Sequence, residues 1–320
     1  MTATTAVARA PATVANVAVG FDVLGFAFAA LEDVVTVTRV EAREGTPAAT
    51  LVGVEGGIEL PRDPSRNTAT AALLAMARDL ADPPARGDDL AFAVTVRKGI
   101  PMSSGMGGSA ASAVGAVVAA NALLPQPLPR ERLLRWAIEG EAVASGAWHP
   151  DNVAPCLFGG LCATLPGASS AVIPLPTLDD LFCVVARPHL QINTREARST
   201  LRPVVPLAAH VAQSAHLAAF VAACYRGDAT LLSHAMQDLI VGPQRAERIP
   251  GWAAVRRAAA DAGAIGCAIA GSGPSLFAWA LGGDRAQDVR VAMVAAFAAH
   301  EVETDAFVGP IAHAGAEVVA

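Results

Sequence analysis

Lysine is almost absent from this sequence of 320 residues: Lys98 is the only one, and the other basic residues are arginines spread along the chain. The formal net charge is −6, and no long basic run occurs. Nucleic-acid binding depends on clustered lysine and arginine side chains that neutralise phosphates. The sequence therefore argues against a nucleic acid as partner.

Cysteine is also sparse, and its spacing excludes two common uses. The five cysteines are odd in number, lie among apolar residues and form no Cys-x-x-Cys pair; they are Cys156, Cys162, Cys183, Cys224 and Cys267. Disulfide frameworks and zinc sites need paired or closely spaced cysteines. Buried free thiols in a reducing compartment account for these residues better.

The sequence also shows no pattern typical of a targeting peptide or of a membrane span. The first 25 residues have no basic stretch followed by an apolar one, and Arg9, Pro11, Asn16 and Asp22 interrupt them, so they do not resemble a signal peptide. The most apolar run, residues 110–124, is shorter than the roughly 20 residues that a membrane span requires. We expect a soluble, cytoplasmic protein that does not associate with membranes.

The length and the 53% hydrophobic content are sufficient for two domains with sizeable cores. Periodicity and turn residues predict helices and strands that alternate without a strict βαβ rhythm, which favours the α+β class. Strands are predicted at 4–9, 33–40, about 92–96, 159–165, 181–187, 265–270, 276–281 and 302–308, with a loop-rich hairpin at 45–65. Helices are predicted at 68–80, 110–124, 130–145, 195–200, 206–225, 228–239, 252–262 and 285–299.

The most informative stretch is the glycine-dense turn between the strand ending near residue 97 and the helix that follows. Gly105, Gly107 and Gly108 permit positive φ and close backbone approach, and Ser109 is predicted as the helix N-cap. Such a turn presents unpaired N–H groups at the positive end of a helix, which suits an anion such as phosphate. A tight connection without a ligand is the alternative, and the turn lacks the Lys-Ser/Thr ending of the ATPase P-loop.

Two isolated polar residues stand among apolar neighbours in the segment 11–25. A buried polar group without a partner costs on the order of 1–3 kcal/mol. Asn16 and Asp22 are therefore expected either to cap backbone groups or to face a ligand.

Four segments in this order resemble the GHMP kinases, the small-molecule kinases that include galactokinase, homoserine kinase, mevalonate kinase and phosphomevalonate kinase. The segments are residues 11–25, the glycine turn 101–112, His149-Pro-Asp-Asn-Val-Ala-Pro155 and 269–277. The details of residues 16–25, 149–155 and 194–198 resemble the branch of the family that acts on homoserine. The resemblance covers nearly the whole chain.

The resemblance implies an α+β fold of two domains with the active site between them. The first, residues 1–160, would be a ribosomal-protein-S5-like, ATP-binding domain, and the second, residues 161–320, a ferredoxin-like domain. It also implies phosphoryl transfer from ATP to the hydroxyl of L-homoserine, giving O-phospho-L-homoserine for threonine biosynthesis. The implied partners are ATP, Mg²⁺, L-homoserine and a second copy of the chain in a homodimer.

The resemblance assigns roles residue by residue. The nucleotide-binding residues would be Asn67, near the adenine, and Pro101, Ser103, Ser104, Gly105, Met106, Gly107, Gly108 and Ser109 around the phosphates. Mg²⁺ would be coordinated by Ser109 and Glu141. The substrate would be bound by Asn16, Asp22, Asn152, Thr194, Arg198 and Arg245, with the two arginines on its carboxylate. The candidate catalytic residues are Asp22, Asn16 and His149, of which Asp22 is the stronger candidate for orienting the hydroxyl and accepting its proton.

The sequence departs from the family pattern at three places and leaves other functions open. Gly108 replaces a common serine, Ala18-Val19 replaces a common Gly-Pro pair, and Gly242 replaces a common glutamate. The alternatives are a related kinase with another hydroxyl substrate and a non-catalytic ligand sensor on the same fold. A serine hydrolase is disfavoured because the chain has no Gly-x-Ser-x-Gly elbow after a strand.

Overall fold

The computed structural model describes residues 4–81, 90–146, 148–165, 171–192 and 194–319. In these residues the strands are β1 (Thr5–Ala15), β2 (Leu24–Val40), β3 (Ala49–Glu55), β4 (Ala91–Arg97), β5 (Leu161–Thr164), β6 (Val172–Leu175), β7 (Leu181–Pro188), β8 (Gly266–Ile269), β9 (Leu276–Leu281), β10 (Thr304–Pro310) and β11 (Glu317–Val318). The helices are α1 (Thr68–Leu80), α2 (Gly108–Ala122), α3 (Arg130–Ser145), α4 (Val153–Phe158), α5 (Thr194–Ser199), α6 (Leu207–Arg226), α7 (Ala229–Ala235), α8 (Gly242–Ala246), α9 (Trp252–Asp261) and α10 (Gly283–Ala298).

The first sheet has seven strands, with the order β11-β1-β2-β4-β3 and with β5 and β6 extending from the other end of β2. Alternate residues of β1, such as Ala6, Ala8 and Ala10, are buried on the face that packs against α2. Helix α2 has no polar face: all residues from Ala110 to Asn121 are buried. The reason is that α2 lies between β1 and β2 on one side and α1 and α3 on the other.

The second sheet is antiparallel, with the order β10-β7-β9-β8, and α9 and α10 pack beside it. Its core is joined to that of the first sheet by an aromatic cluster. The ring centroid of Phe26, in β2, lies 5.5 Å from that of Phe277 and 5.0 Å from that of Trp279, both in β9. The prediction of the α+β class is confirmed.

The chain crosses between the two sheets more than once. The hairpin β5–β6 pairs with β2, and the C-terminal strand β11 returns to pair with β1. A division of the chain at residue 160 remains a prediction.

Two local predictions are wrong. The stretch 45–65 is not a hairpin, because β3 pairs in parallel with β4 across the intervening helix α1. Ser109 is not the N-cap of α2, because Gly107, in the left-handed region at φ 65°, already turns the chain into the helix. The first helical hydrogen bond therefore runs from the Ala111 N–H to the Gly107 carbonyl, at 2.9 Å.

The five cysteines are all buried and unpaired, as predicted. Burial raises the pKa of Cys267 to about 12 and that of Cys162 to about 12, so these thiols stay protonated at neutral pH. Thiolate is the reactive form of cysteine. These side chains therefore act as small apolar groups in the core.

One helix in the described part of the chain passes a test of length and composition for a membrane span. It is α6, Leu207–Arg226, and 17% of its most apolar window is buried. A single helix of this kind is weak support for a membrane span, since helices of soluble proteins pass the same test.

Candidate active site

A cleft of about 680 Å³ opens between the two halves of the molecule. Every residue predicted for the site lines it except Thr194: Asn16, Asp22, Asn67, Pro101, Ser103, Ser104, Gly105, Met106, Gly107, Gly108, Ser109, Glu141, His149, Asn152, Arg198 and Arg245. Thr194 begins α5, but its side chain lies outside the described part of the structure. A more open cavity of about 830 Å³ beside β1 and β2 contains none of the predicted residues.

The glycine turn is folded tightly against its neighbours. Gly105 and Gly107 have φ of 73° and 65°, which side chains rarely adopt. A Cβ at Gly105 would overlap the Ala270 carbonyl, and one at Gly107 would overlap the Thr13 hydroxyl. Both positions therefore require glycine for conformation and for close approach.

A second glycine turn, residues 270–275, supports the first from the other half of the molecule. The Ser275 hydroxyl donates to the Ser104 carbonyl at 2.5 Å, and the Gly271 N–H donates to the Ala15 carbonyl at 3.3 Å. The first bond ties the turn 101–108 to the turn 270–275, and the second ties the end of β1 to it.

The N-terminus of α2 carries no side-chain cap. The first N–H groups of a helix have no intrahelical partner, and the helix dipole places positive partial charge there. Residues Gly107, Gly108 and Ser109 lie at this end and line the cleft. The arrangement is a ready anion site.

Ser109 and Glu141 form an oxygen pair beside this anion site. The Ser109 hydroxyl donates to Glu141 Oε1 at 2.9 Å. The other oxygen, Oε2, is buried and has no hydrogen-bond partner among the described residues. Burial raises the pKa of Glu141 to about 7, and the charge of Asp151 contributes in the same direction.

An unpartnered buried carboxylate oxygen next to a hydroxyl fits a hard divalent cation. Among the described residues no group of three or more histidine, cysteine, aspartate or glutamate side chains could hold a metal. Mg²⁺ typically takes only one or two carboxylates from a protein and fills its shell with phosphate and water oxygens. Ser109 and Glu141 match that pattern.

Asn67 is the N-cap of α1. Its side-chain oxygen accepts from the N–H groups of Ala69 and Thr70 at 3.1 and 3.2 Å, and the residue is 3% exposed. The oxygen is thus engaged in capping, and α1 begins at Thr68 as predicted. A contact with adenine, which stays a prediction, is left to the amide nitrogen.

Asn16 sits in a strained loop between β1 and β2. Asn16, Val17, Ala18 and Asp22 all have positive φ, between 43° and 73°. Such conformations cost on the order of 1–3 kcal/mol each and cluster at functional sites. The Asn16 amide donates to the Gly271 carbonyl at 2.8 Å and accepts from the Asp22 N–H at 3.0 Å, so it orders the loop.

Asp22 forms a bidentate ion pair with Arg198 of α5, at 2.6 and 2.9 Å. This contact raises the pKa of Arg198. His149 Nδ1 lies 3.7 Å from Asp22 Oδ2, and burial lowers the pKa of the imidazole despite that carboxylate. His149 is therefore neutral at pH 7.

Phe21 lies between the two predicted carboxylate-binding arginines. The guanidinium carbons of Arg198 and Arg245 are 5.2 and 5.3 Å from the centre of its ring, within cation–π range. Arg245 is buried, donates to the Gly271 carbonyl at 2.8 Å, and leaves Nε without a partner among the described residues. Burial and the charge of Arg198 lower the pKa of Arg245. Such a buried cation with an unused donor favours an anionic ligand.

Asn152 is held by Thr13, whose hydroxyl donates to Asn152 Oδ1 at 2.8 Å.

Asp151, the residue before Asn152, also lies in the wall of the cleft and is 5% exposed. Burial raises the pKa of Asp151 to about 7, and the charge of Asp22 adds to the effect. Asp151 and Phe21 were missed by the sequence analysis. In the sequence, each is marked only by its position next to a predicted site residue: Asp151 precedes Asn152, and Phe21 precedes Asp22.

Family models match two stretches of the chain. The model of the GHMP kinases N terminal domain matches residues 67–160, and the model of the GHMP kinases C terminal matches residues 220–299. The first covers the glycine turn and Glu141, and the second covers Arg245 and the turn 270–275.

Two relatives that match over nearly the whole chain are both homoserine kinases. The chain is 44% identical to a homoserine kinase of Xylella fastidiosa over 314 residues, covering 98% of this chain and 93% of that one. It is 39% identical to a homoserine kinase of Chlorobium phaeobacteroides, covering 97% of this chain and 98% of that one.

Solved structures show the same fold. A homoserine kinase of Cytophaga hutchinsonii superposes with a TM-score of 0.91 at 36% identity, covering 100% of this chain and 98% of that one. An L. major mevalonate kinase, at 16% identity and a TM-score of 0.67, shows the shared fold alone. The predicted two-domain architecture is confirmed. The chain therefore belongs to the GHMP kinase family, in its homoserine kinase group.

Proposed function

We propose that this protein transfers the γ-phosphoryl group of ATP to the hydroxyl of L-homoserine, producing O-phospho-L-homoserine and ADP in threonine biosynthesis. The observation that carries the proposal is that one cleft is lined both by an anion-binding helix terminus and by two arginines. The similarity to homoserine kinases over nearly the full chain supports the choice of substrate.

The glycine turn is the proposed triphosphate site. Backbone N–H groups of Gly107, Gly108 and Ser109 bind phosphate oxygens at the positive end of α2. Ser109 and Glu141 would hold Mg²⁺, which neutralises charge on the phosphates when bound. Asn67 lies at the edge of the cleft, where the adenine is expected.

The proposed homoserine site is the charged cluster around Phe21. Arg198 and Arg245 bind the carboxylate, because a guanidinium offers parallel N–H donors to two oxygens. Asp22 and Asn16 bind the ammonium group and the hydroxyl end, and Asn152 makes a further polar contact. Each charged hydrogen bond contributes roughly 1.5–3 kcal/mol.

Catalysis rests mainly on positioning. Phosphoryl transfer has a loose transition state whose charge is spread over the phosphoryl oxygens, so alignment and electrostatics supply most of the acceleration. Asp22 is the proposed acceptor of the hydroxyl proton, since its carboxylate lies in the cleft. His149, neutral and beside Asp22, is the weaker candidate.

A substrate panel tests the proposal. Purified protein with ATP and Mg²⁺ should form ADP with L-homoserine and not with mevalonate or galactose. Turnover of another hydroxyl compound alone would reject the substrate assignment. Nucleotide that binds but is not consumed over hours in isothermal titration would indicate a ligand sensor instead.

We also infer that the protein is cytoplasmic and forms a homodimer. Support for the dimer comes from α6 and the residues before it, where Val204, Leu207, Val211 and Tyr225 are 79%, 77%, 59% and 65% exposed. Large apolar side chains exposed on one helix favour an interface with another protein surface. Sedimentation equilibrium should give twice the chain mass of 32.5 kDa. A monomer at micromolar concentration would contradict the inference.

A further inference from the structure

Three buried polar side chains lie directly beneath the glycine turn. Asp33 belongs to β2, Lys98 follows β4, and Ser112 lies in the second turn of α2. The side chains of Asp33 and Lys98 are 0% and 3% exposed, and Ser112 is 4% exposed. We call these residues the Asp33–Lys98–Ser112 cluster.

Asp33 accepts hydrogen bonds from four donors. Its Oδ1 accepts from the N–H groups of Gly99 and Ile100, each at 3.1 Å. Its Oδ2 accepts from the Lys98 ammonium and, at 2.9 Å, from the Ser112 hydroxyl. One carboxylate thus fixes the segment that enters the glycine turn and the helix that leaves it.

Lys98 connects this carboxylate to the start of α2. Its ammonium donates to the Gly108 carbonyl at 2.5 Å and to the Ser112 hydroxyl at 3.2 Å, besides its ion pair with Asp33. The Nζ atom lies 3.1 Å from where a Cβ of Gly108 would stand. All three donors of the ammonium are therefore engaged at the residue that opens the anion site.

A buried ion pair adds little net stability, because desolvation offsets the attraction between its charges. The attraction between the two charges is therefore not by itself a reason for this pair to lie here. The position of the pair indicates its role. Lys98 lines the cleft together with two residues that it contacts, Gly108 and Ser112. The cluster lies where it controls the geometry of the turn.

We propose that the Asp33–Lys98–Ser112 cluster is a positioning device that holds the glycine turn and the first turn of α2 in the geometry that binds phosphate. The proposal rests on the proposed function, in which this turn binds ATP. Lys98 and Asp33 act through the backbone of Gly108 and of residues 99–100, and neither contacts the nucleotide. The adenosine moiety binds elsewhere in the cleft, so the cluster affects only the phosphate part of the affinity.

The test compares adenosine with ADP, each titrated calorimetrically in the presence of Mg²⁺. The double variant Asp33→Asn with Lys98→Met removes both charges, and the asparagine oxygen can still accept from Gly99 and Ile100. We expect its ADP affinity to fall about tenfold or more while its adenosine affinity changes less than about twofold. Lys98→Arg should keep most of the ADP affinity, and Arg97→Met, on the exposed neighbouring residue, is the matched control.

An equal loss of affinity for adenosine and ADP would show general damage to the fold and would overturn the proposal, as would unchanged ADP binding. Should the double variant not fold, Ser112→Ala removes one member of the cluster without leaving a buried charge. It should weaken ADP about threefold and leave adenosine unaffected; unchanged ADP binding would again overturn the proposal. Wild-type protein that binds ADP no better than adenosine would contradict the proposed function and the cluster together.

Discussion

Asp22 and Arg198 are 176 positions apart in the sequence, yet both carboxylate oxygens of Asp22 accept from the guanidinium of Arg198. The pair lies in the cleft, where one charge balances the other. An α-amino acid carries the same two charges. In the proposed complex, the ammonium of the zwitterion binds to Asp22 and its carboxylate to Arg198, so that neither side chain is left unpaired.

Arg198→Ala should therefore impair homoserine binding selectively. We expect the KM for homoserine to rise about 100-fold, from the loss of one charged bidentate contact, and the KM for ATP to change less than about threefold. Steady-state kinetics with each substrate varied in turn measures both. Arg226→Ala is the control, since its side chain is 70% exposed at the end of α6. Equal effects on the two KM values would place Arg198 outside the homoserine site.

Glu141 should make the ligand-free protein less stable as the pH rises. Its pKa is raised to about 7 in the folded state, from an ordinary value of 4.5. The folded protein holds a proton that the unfolded chain has lost between these values, so the contribution is complete below pH 4.5 and is lost as pH rises through 7. The free energy of unfolding should fall by on the order of 3 kcal/mol across this pH range.

Thermal unfolding of wild type and Glu141→Gln between pH 5 and 8 isolates this effect. Wild type should lose stability relative to the variant over that range, because glutamine stays neutral throughout. Stability curves that run parallel would show that Glu141 keeps an ordinary pKa. Binding of ADP with Mg²⁺ at pH 6 should release protons from wild type and fewer from the variant, measured by titration in buffers of different ionisation enthalpy.

Gly107→Ala should damage the glycine turn more than its backbone conformation alone explains. A left-handed φ costs alanine about 1 kcal/mol, and here the added Cβ also overlaps the Thr13 hydroxyl. Gly45→Ala is the matched control, because Gly45 has a φ of 78° and open space around it. We expect the Gly45 variant to lose about 1 kcal/mol and keep ADP binding, and the Gly107 variant to lose more than twice that and bind ADP poorly.

Similar destabilisation and similar ADP affinity in the two alanine variants would contradict the close packing of the turn. Chemical denaturation and calorimetric titration give the two quantities independently.

The sequence carried enough local information to predict the glycine turn, α1, α3 and the α+β class. The sequence could not locate the start of α2, because Gly107 and Ser109 are both common residues at the start of a helix. Only the structure shows that the Ser109 hydroxyl donates to Glu141 and that Gly107 is the N-cap. The sequence analysis also misassigned residues 45–65, since a parallel partner across a helix leaves no local signature.

The site itself depended on contacts that the sequence does not encode locally. The link between Asp33 and Lys98 spans 65 positions and exists because β2 and β4 are neighbours in the sheet. Phe21 gains its place between Arg198 and Arg245 only when the second half of the chain folds over the first. Motif resemblance identified about half of the residues that line the cleft, but neither Phe21 nor Lys98.

The central claim is that the hydroxyl of homoserine receives the terminal phosphoryl group of ATP. Phosphorus-31 NMR of the protein with ATP, Mg²⁺ and L-homoserine follows that group directly. We predict a phosphomonoester signal that grows in equal amount with the ADP signals. ADP that accumulates with inorganic phosphate alone, or ATP that stays unchanged, would contradict the account.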